Sequence, residues 1–119
     1  MDEYILKYLQ DVLDAINDVE CFFTDYPNRF DIFAKDKLRI CAVERKVEIM
    51  GEAINRILKR DPDFALPNAR SIVQTRNRVI HSYDKVPVEF LWGLVTRHIP
   101  ALKKDVESII LLNSNDADS

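Results

Sequence analysis

Apolar residues recur along most of the chain at the spacing of one helix face. From residue 3 to 24, Ile5, Leu9, Val12, Leu13, Ile16, Val19 and Phe23 form one broad stripe, as an amphipathic α-helix requires. Tyr26-Pro27-Asn28 ends it. Phe30, Ile32 and Phe33 read as a short helical turn that plugs the core, capped by Asp31 or Asn28. A second long helix is expected over 36–60, with Leu38, Cys41, Ala42, Arg45, Val47, Ile49, Ala53, Ile54, Ile57 and Leu58 on a wide, mostly apolar face. Asp61-Pro62-Asp63 closes it. Asn68 is a suitable N-cap for a third helix over about 69–83, with Ile72, Val73, Val79 and Ile80 inward.

Val86-Pro87 breaks that element and opens the next. Phe90, Leu91, Leu94 and Val95 make a stripe with Trp92 beside it, and Pro100 should kink or divide the helix near Ile99. Leu102, Val106, Ile109 and Ile110 continue the apolar face as far as Leu112. Residues 113–119 read as a flexible tail, so 1–112 is expected to be one all-α domain of four to five helices. No strand pattern, repeat, glycine-rich phosphate loop or paired metal-ligand motif interrupts this reading.

Composition narrows the class further. The chain has 119 residues, 47% apolar and 31% charged, with two glycines, which suits a helical globular domain. An acidic beginning, Met1-Asp2-Glu3-Tyr4, is unlike a signal peptide, and no apolar run reaches the ~20 residues that span a bilayer. A cytoplasmic protein without a membrane partner is expected. Cys21 and Cys41 are too few for a disulfide framework and read as buried free thiols.

The net charge of −3 argues against a general nucleic-acid binder, but its distribution is uneven. Residues 1–26 hold seven acids and one base, whereas residues 67–83 hold three arginines and no acid. Two further features stand out on the second helix. Gly51 costs about 1 kcal/mol against alanine in a helix interior, so a close approach by another helix or a ligand is one reason for it. Glu44, Glu48 and Glu52 lie four apart, where like charges repel. Either Arg76 and Arg78 face that stripe, or Arg45, Arg56 and nearby lysines relieve it.

The basic segment carries the candidate chemistry: Arg76-Asn77-Arg78-Val79-Ile80-His81-Ser82-Tyr83. Asn77 and His81 are four apart and share a helix face; Arg76 and His81 lie about 140° apart on an ideal helix. They could converge through the length of arginine or a loosened last turn. A guanidinium, an imidazole, an amide and a phenol suit RNA phosphodiester cleavage without a metal. The imidazole can take the ribose 2′-OH proton or protonate the 5′-oxygen, and the guanidinium can stabilise the pentacovalent transition state. Equally, an Arg…His pair on a helix can be structural. His98, beside Arg97, has no assigned role.

This segment has the form Arg-x4-His-x-Tyr and begins Arg-Asn. Together with Ala42-Val43-Glu44-Arg45-Lys46-Val47-Glu48-Ile49-Met50-Gly51-Glu52-Ala53, Val86-Pro87, Trp92 and Pro100-Ala101-Leu102, it resembles the HepT family of HEPN-domain toxins over nearly the whole chain. That resemblance implies a HEPN-type helical bundle that forms a homodimer. It implies a metal-independent ribonuclease, with no cofactor, that uses Arg76 and His81. It implies a partner as well, an MntA-like nucleotidyltransferase antitoxin, in a toxin–antitoxin complex. That enzyme would adenylylate Tyr83, adding charge and bulk where an RNA phosphate binds. Asn77, Arg78, Glu48 and Glu52 are expected to bind substrate or support the site, the glutamates by positioning Arg76. The alternative function is a non-catalytic binding or scaffold subunit of a nucleotidyltransferase complex.

Overall fold

The computed structural model describes the backbone of residues 1–81 and 86–118, and the side chains of all of these except 78–81 and 115–118. Among the described residues every regular element is helical. Helix α1 (Glu3–Phe22) buries Ile5, Leu9, Val12, Ala15, Ile16 and Val19, the face its sequence period prescribes. Asp2 caps it, accepting from the backbone N–H of Tyr4 at 2.8 Å and of Ile5 at 3.4 Å.

Helix α2 is one turn, Phe30–Phe33. Phe33 is fully buried. Neither Asn28 nor Asp31 caps this turn: its N-cap position is Arg29, which has no side-chain capping bond. Asp31 instead accepts from the Arg29 guanidinium at 3.1 and 2.7 Å.

Helix α3 (Lys37–Arg60) begins at Asp36, whose carboxylate accepts from the Arg39 backbone N–H at 3.1 Å. It packs antiparallel to α1, as the contacts at the two ends show. The Arg39 Nε donates to the Phe22 carbonyl at 2.7 Å, while Arg60 meets Asp2 at 2.9 Å. Val43, Val47, Met50, Gly51, Ala53, Ile54 and Ile57 form the buried face of α3. Leu38 and Cys41 do not share it. Leu38 is 80% exposed, and Cys41 and Cys21 are both exposed free thiols. Ile40 still packs against the core, but Cys41 lies off the Val43–Val47–Ile54 stripe of α3 and Cys21 off the Ile5–Val19 stripe of α1, so the expectation of buried thiols fails.

Helix α4 (Arg70–His81) lies on α3. Asn68 does not cap it. Its Nδ2 donates to Asp105 at 2.7 Å, tying the α3–α4 connection to the C-terminal helix. Ala69, Ile72 and Thr75 point inward, and the Thr75 hydroxyl is satisfied by the Ser71 carbonyl at 2.8 Å.

The last third is one helical run in three parts: α5 (Val88–Gly93), a π-helical turn (Leu94–His98) and α6 (Ile99–Asp118). The division expected near Ile99 takes the form of a π turn and not a break in the helical run. Proline has no N–H and its ring crowds the carbonyl four residues back. The π turn absorbs this mismatch, with the Ile99 N–H donating to Leu94, five residues earlier. Trp92 stacks on Phe33 with ring centroids 5.1 Å apart, so α5 is anchored to α2. The helical backbone continues to Asp118, past the Leu112 at which the apolar pattern ends. No helix among the described residues is long and apolar enough to cross a membrane.

Candidate active site

Arg76 sits on the side of α4 that crosses α3 at Gly51. A Cβ placed on Gly51 would lie 2.5 Å from the Arg76 Cβ and 2.8 Å from its Cγ. Real side chains do not approach that closely. The glycine is thus the seat of the arginine stem, which accounts for its presence in a helix interior despite its low propensity.

The seat leaves the guanidinium in an unusual electrostatic position. Its Nε is buried and has no hydrogen-bond acceptor among the described residues. One terminal nitrogen, Nη1, donates to the Asn77 side-chain oxygen at 3.2 Å. Asn77 is exposed and adjacent in sequence, so it supplies a neutral acceptor and no countercharge. Among the described residues Arg76 makes no ion pair with a carboxylate. A guanidinium held by its stem, yet short of acceptors at its head, is prepared to bind an oxyanion.

Glu48 and Glu52 do not hold Arg76. Glu48 pairs with Arg45 at 3.1 Å, and Glu52 pairs with Arg56 at 2.7 Å, both along α3 itself. The repulsion within the glutamate stripe is therefore relieved at these two positions from its own helix. The physical reason is reach: i,i+3 and i,i+4 partners lie side by side on the same surface, whereas the Gly51 crossing brings the stem of Arg76 to α3, not its head to the carboxylates.

Arg76 and Glu52 do border one cavity of about 430 Å³, whose other walls among the described residues are Asn55, Arg56, Leu58 and Lys59 of α3. Glu52, Asn55, Arg56 and Lys59 follow one another at helical spacing, so they form a single polar stripe beside the crossing. Sequence reasoning passed over Asn55 and Lys59. The available signal was that they continue the stripe of Glu52 once Gly51 is taken as the contact point with α4.

His81 is the final residue of α4, five positions after Arg76 on the same helix. The side chains of His81 and Arg78 lie outside the described residues, and so does Tyr83. Trp92, half-buried against Phe33 and Phe23, belongs to the core. Phe90 remains 37% exposed. Along with Glu89, Arg97 and His98 it lines a second surface cavity at the α5–π junction.

Comparison with known proteins agrees with this architecture. The profile of the family described as "Ribonuclease HepT-like" matches residues 12–109. "Probable ribonuclease HepT" of Thermococcus cleftensis is 36% identical over 106 residues, covering 86% of this chain and 92% of that protein. "Putative RNase MJ1380" of Methanocaldococcus jannaschii is 35% identical over 107 residues, covering 88% of this chain and 95% of that protein. No solved structure matches the chain significantly. The matched region spans α3 with Gly51 and the whole of α4 with Arg76 and His81, and on these grounds the chain belongs to the HepT-like ribonuclease family.

Proposed function

We propose that the chain is the toxin of a two-gene toxin–antitoxin module and cleaves RNA internally without a metal ion. The observation that supports this best is the state of Arg76: seated on Gly51, short of acceptors and without a carboxylate partner among the described residues. Such a group binds the phosphate and stabilises the second negative charge that appears in the transition state.

In this reading the His81 imidazole takes the proton from a ribose 2′-OH. The 2′-oxygen attacks phosphorus, the bond to the 5′-oxygen breaks, and that oxygen takes up a proton. The products are a 2′,3′-cyclic phosphate and a 5′-hydroxyl. Asn77 orients the guanidinium through its side-chain oxygen, and Arg78 adds positive charge to the segment. Glu48 and Glu52 act at most through the arginines they pair with. Two copies form the working unit, and an MntA-like nucleotidyltransferase silences it by transferring AMP from ATP to Tyr83.

The test is cleavage of single-stranded RNA by the purified chain. Arg76→Ala should lower the rate by about 10²–10³, and His81→Ala by about 10²–10⁴, with circular dichroism unchanged. Activity should survive excess chelator, and product ends should carry cyclic phosphate. Full cleavage by a folded His81→Ala protein, or loss of cleavage on chelation that added magnesium restores, would reject the mechanism.

A further inference from the structure

The cavity beside Arg76 has walls that the Arg-x4-His-x-Tyr motif does not supply. Among the described residues its lining carries three cations, Arg56, Lys59 and Arg76, against one carboxylate, Glu52. Arg56 is already neutralised by Glu52 at 2.7 Å. Lys59 is exposed and makes no ion pair among the described residues. Asn55 is half-buried, with a side-chain amide that has no hydrogen-bond partner among those residues. Two uncommitted cations and one uncommitted amide thus share the cavity with an apolar wall, Leu58. This is a local excess of positive charge on a chain whose net charge is −3.

We propose that this cavity is a backbone subsite for the RNA strand, where Lys59 and Asn55 hold a phosphate next to the one held by Arg76. The proposal rests on the ribonuclease reading above. At about 430 Å³ the cavity falls within the range of small-ligand clefts, which suits roughly one nucleotide unit. No aromatic ring among the described residues lines it, so these residues offer no stacking platform for a base. Recognition there falls on phosphate and ribose and is independent of sequence. Its position also gives the strand a direction, from Arg76 along the polar stripe toward the C-terminal end of α3.

Lys59 lies in the last turn of α3, where a cation is also favourable for the helix dipole. That role would show in thermal stability, not in the salt dependence of RNA binding, so the two are separable. The probe is a single-stranded oligonucleotide 2′-O-methylated throughout, which presents phosphates but cannot be cleaved by 2′-OH attack. Its Kd is measured against salt concentration for the wild-type chain, Lys59→Gln, Asn55→Ala and Lys35→Gln. Lys35 is exposed and precedes α3, at the opposite end of that helix from Lys59, and controls for net charge.

Lys59→Gln should weaken binding about three- to tenfold and lower the salt slope by about 0.7, to the same degree for oligonucleotides of different sequence. Asn55→Ala should weaken binding with the slope unchanged. Lys35→Gln should alter neither. Wild-type affinity and slope in both Lys59→Gln and Asn55→Ala, with unmodified RNA still cleaved, would overturn the subsite and leave the ribonuclease reading standing. A wild-type chain that neither binds the probe nor cleaves unmodified RNA would overturn both.

Discussion

Arg76 and Asp36 show how differently two charged residues can be used in one small fold. Asp36 is fully committed. It accepts from the Arg39 guanidinium at 2.7 Å, the Arg39 backbone N–H at 3.1 Å and the Tyr26 hydroxyl at 3.0 Å. These bonds, led by that of the Arg39 side chain, hold its carboxyl below the usual carboxylate range. Because the folded chain binds this proton less readily than the unfolded one, the contribution to stability is present at neutral pH. It is lost as pH falls below about 4 and through the folded-state value. Asp36→Asn should lower Tm at pH 7 and flatten the acid limb of a Tm–pH curve recorded from pH 7 to 2; an acid limb of unchanged steepness would reject this account. Arg76, by contrast, is anchored through its aliphatic stem and left with donors unspent. Stability alone would have favoured a carboxylate opposite it, and the lack of one among the described residues is what points to a ligand.

At the scale of elements, the α3–α4 crossing sets the site. Gly51→Ala would add a methyl group where the Arg76 Cβ already lies. The Cβ is fixed to the backbone, so α4 itself must move. Overpacking of this kind costs about 1–3 kcal/mol, against which alanine returns about 1 kcal/mol of helix propensity. Denaturant unfolding should therefore show Gly51→Ala as neutral to about 2 kcal/mol destabilising, with cleavage impaired further than stability. In an Arg76→Gly background the same substitution meets no stem, and the double-mutant cycle should show a coupling of about 1 kcal/mol or more. Additive effects would mean that the close approach is not energetically real. The π turn is the other element-level device. By shifting to an i→i−5 bond at Ile99, it lets one helical run pass Pro100 while Leu91, Leu94, Leu102 and Val106 all stay buried.

For the whole molecule, the charge asymmetry bears on partners. The acids of α1 are partly used within the fold, Asp18 by Lys46 at 2.8 Å and Glu20 by Lys103 at 2.8 Å. Among the described residues, Arg76 and Lys59 beside it make no ion pair. A cleft of that kind attracts RNA and is vulnerable to any modification that adds phosphate. Under the proposed toxin–antitoxin function, co-expression with an MntA-like nucleotidyltransferase should give AMP-sized additions to the intact mass, mapped by peptide analysis to Tyr83 and absent without that enzyme. A stable complex with an active partner and an unmodified Tyr83 would instead favour silencing by occlusion or the scaffold role.

The sequence by itself determined where the helices lie and the inward faces of α1 and of most of α3; the expected inward residues Val79 and Ile80 of α4 lie outside the described side chains. Helical period is a local property, and the cores of α1 and α3 from Val43 onward follow from it residue by residue. It determined the order of motif residues on α4 and marked Gly51 as a point of close approach. Where it failed, the deciding contact came from distant parts of the chain or from competition between near neighbours. Asn68 could cap α4 by accepting through its side-chain oxygen, but its amide nitrogen donates to Asp105, 37 residues away, and that contact orients the side chain. Glu48 and Glu52 could have met Arg76, yet partners one turn along α3 lie closer. Cys21 and Cys41 are apolar enough to be core residues, but the rotation of each helix against its neighbours puts them in solvent. The cavity formed by Arg76, Asn55 and Lys59 exists only because α4 crosses α3 at one particular residue. No spacing along the chain encodes that crossing, since it is set by side-chain packing between two elements.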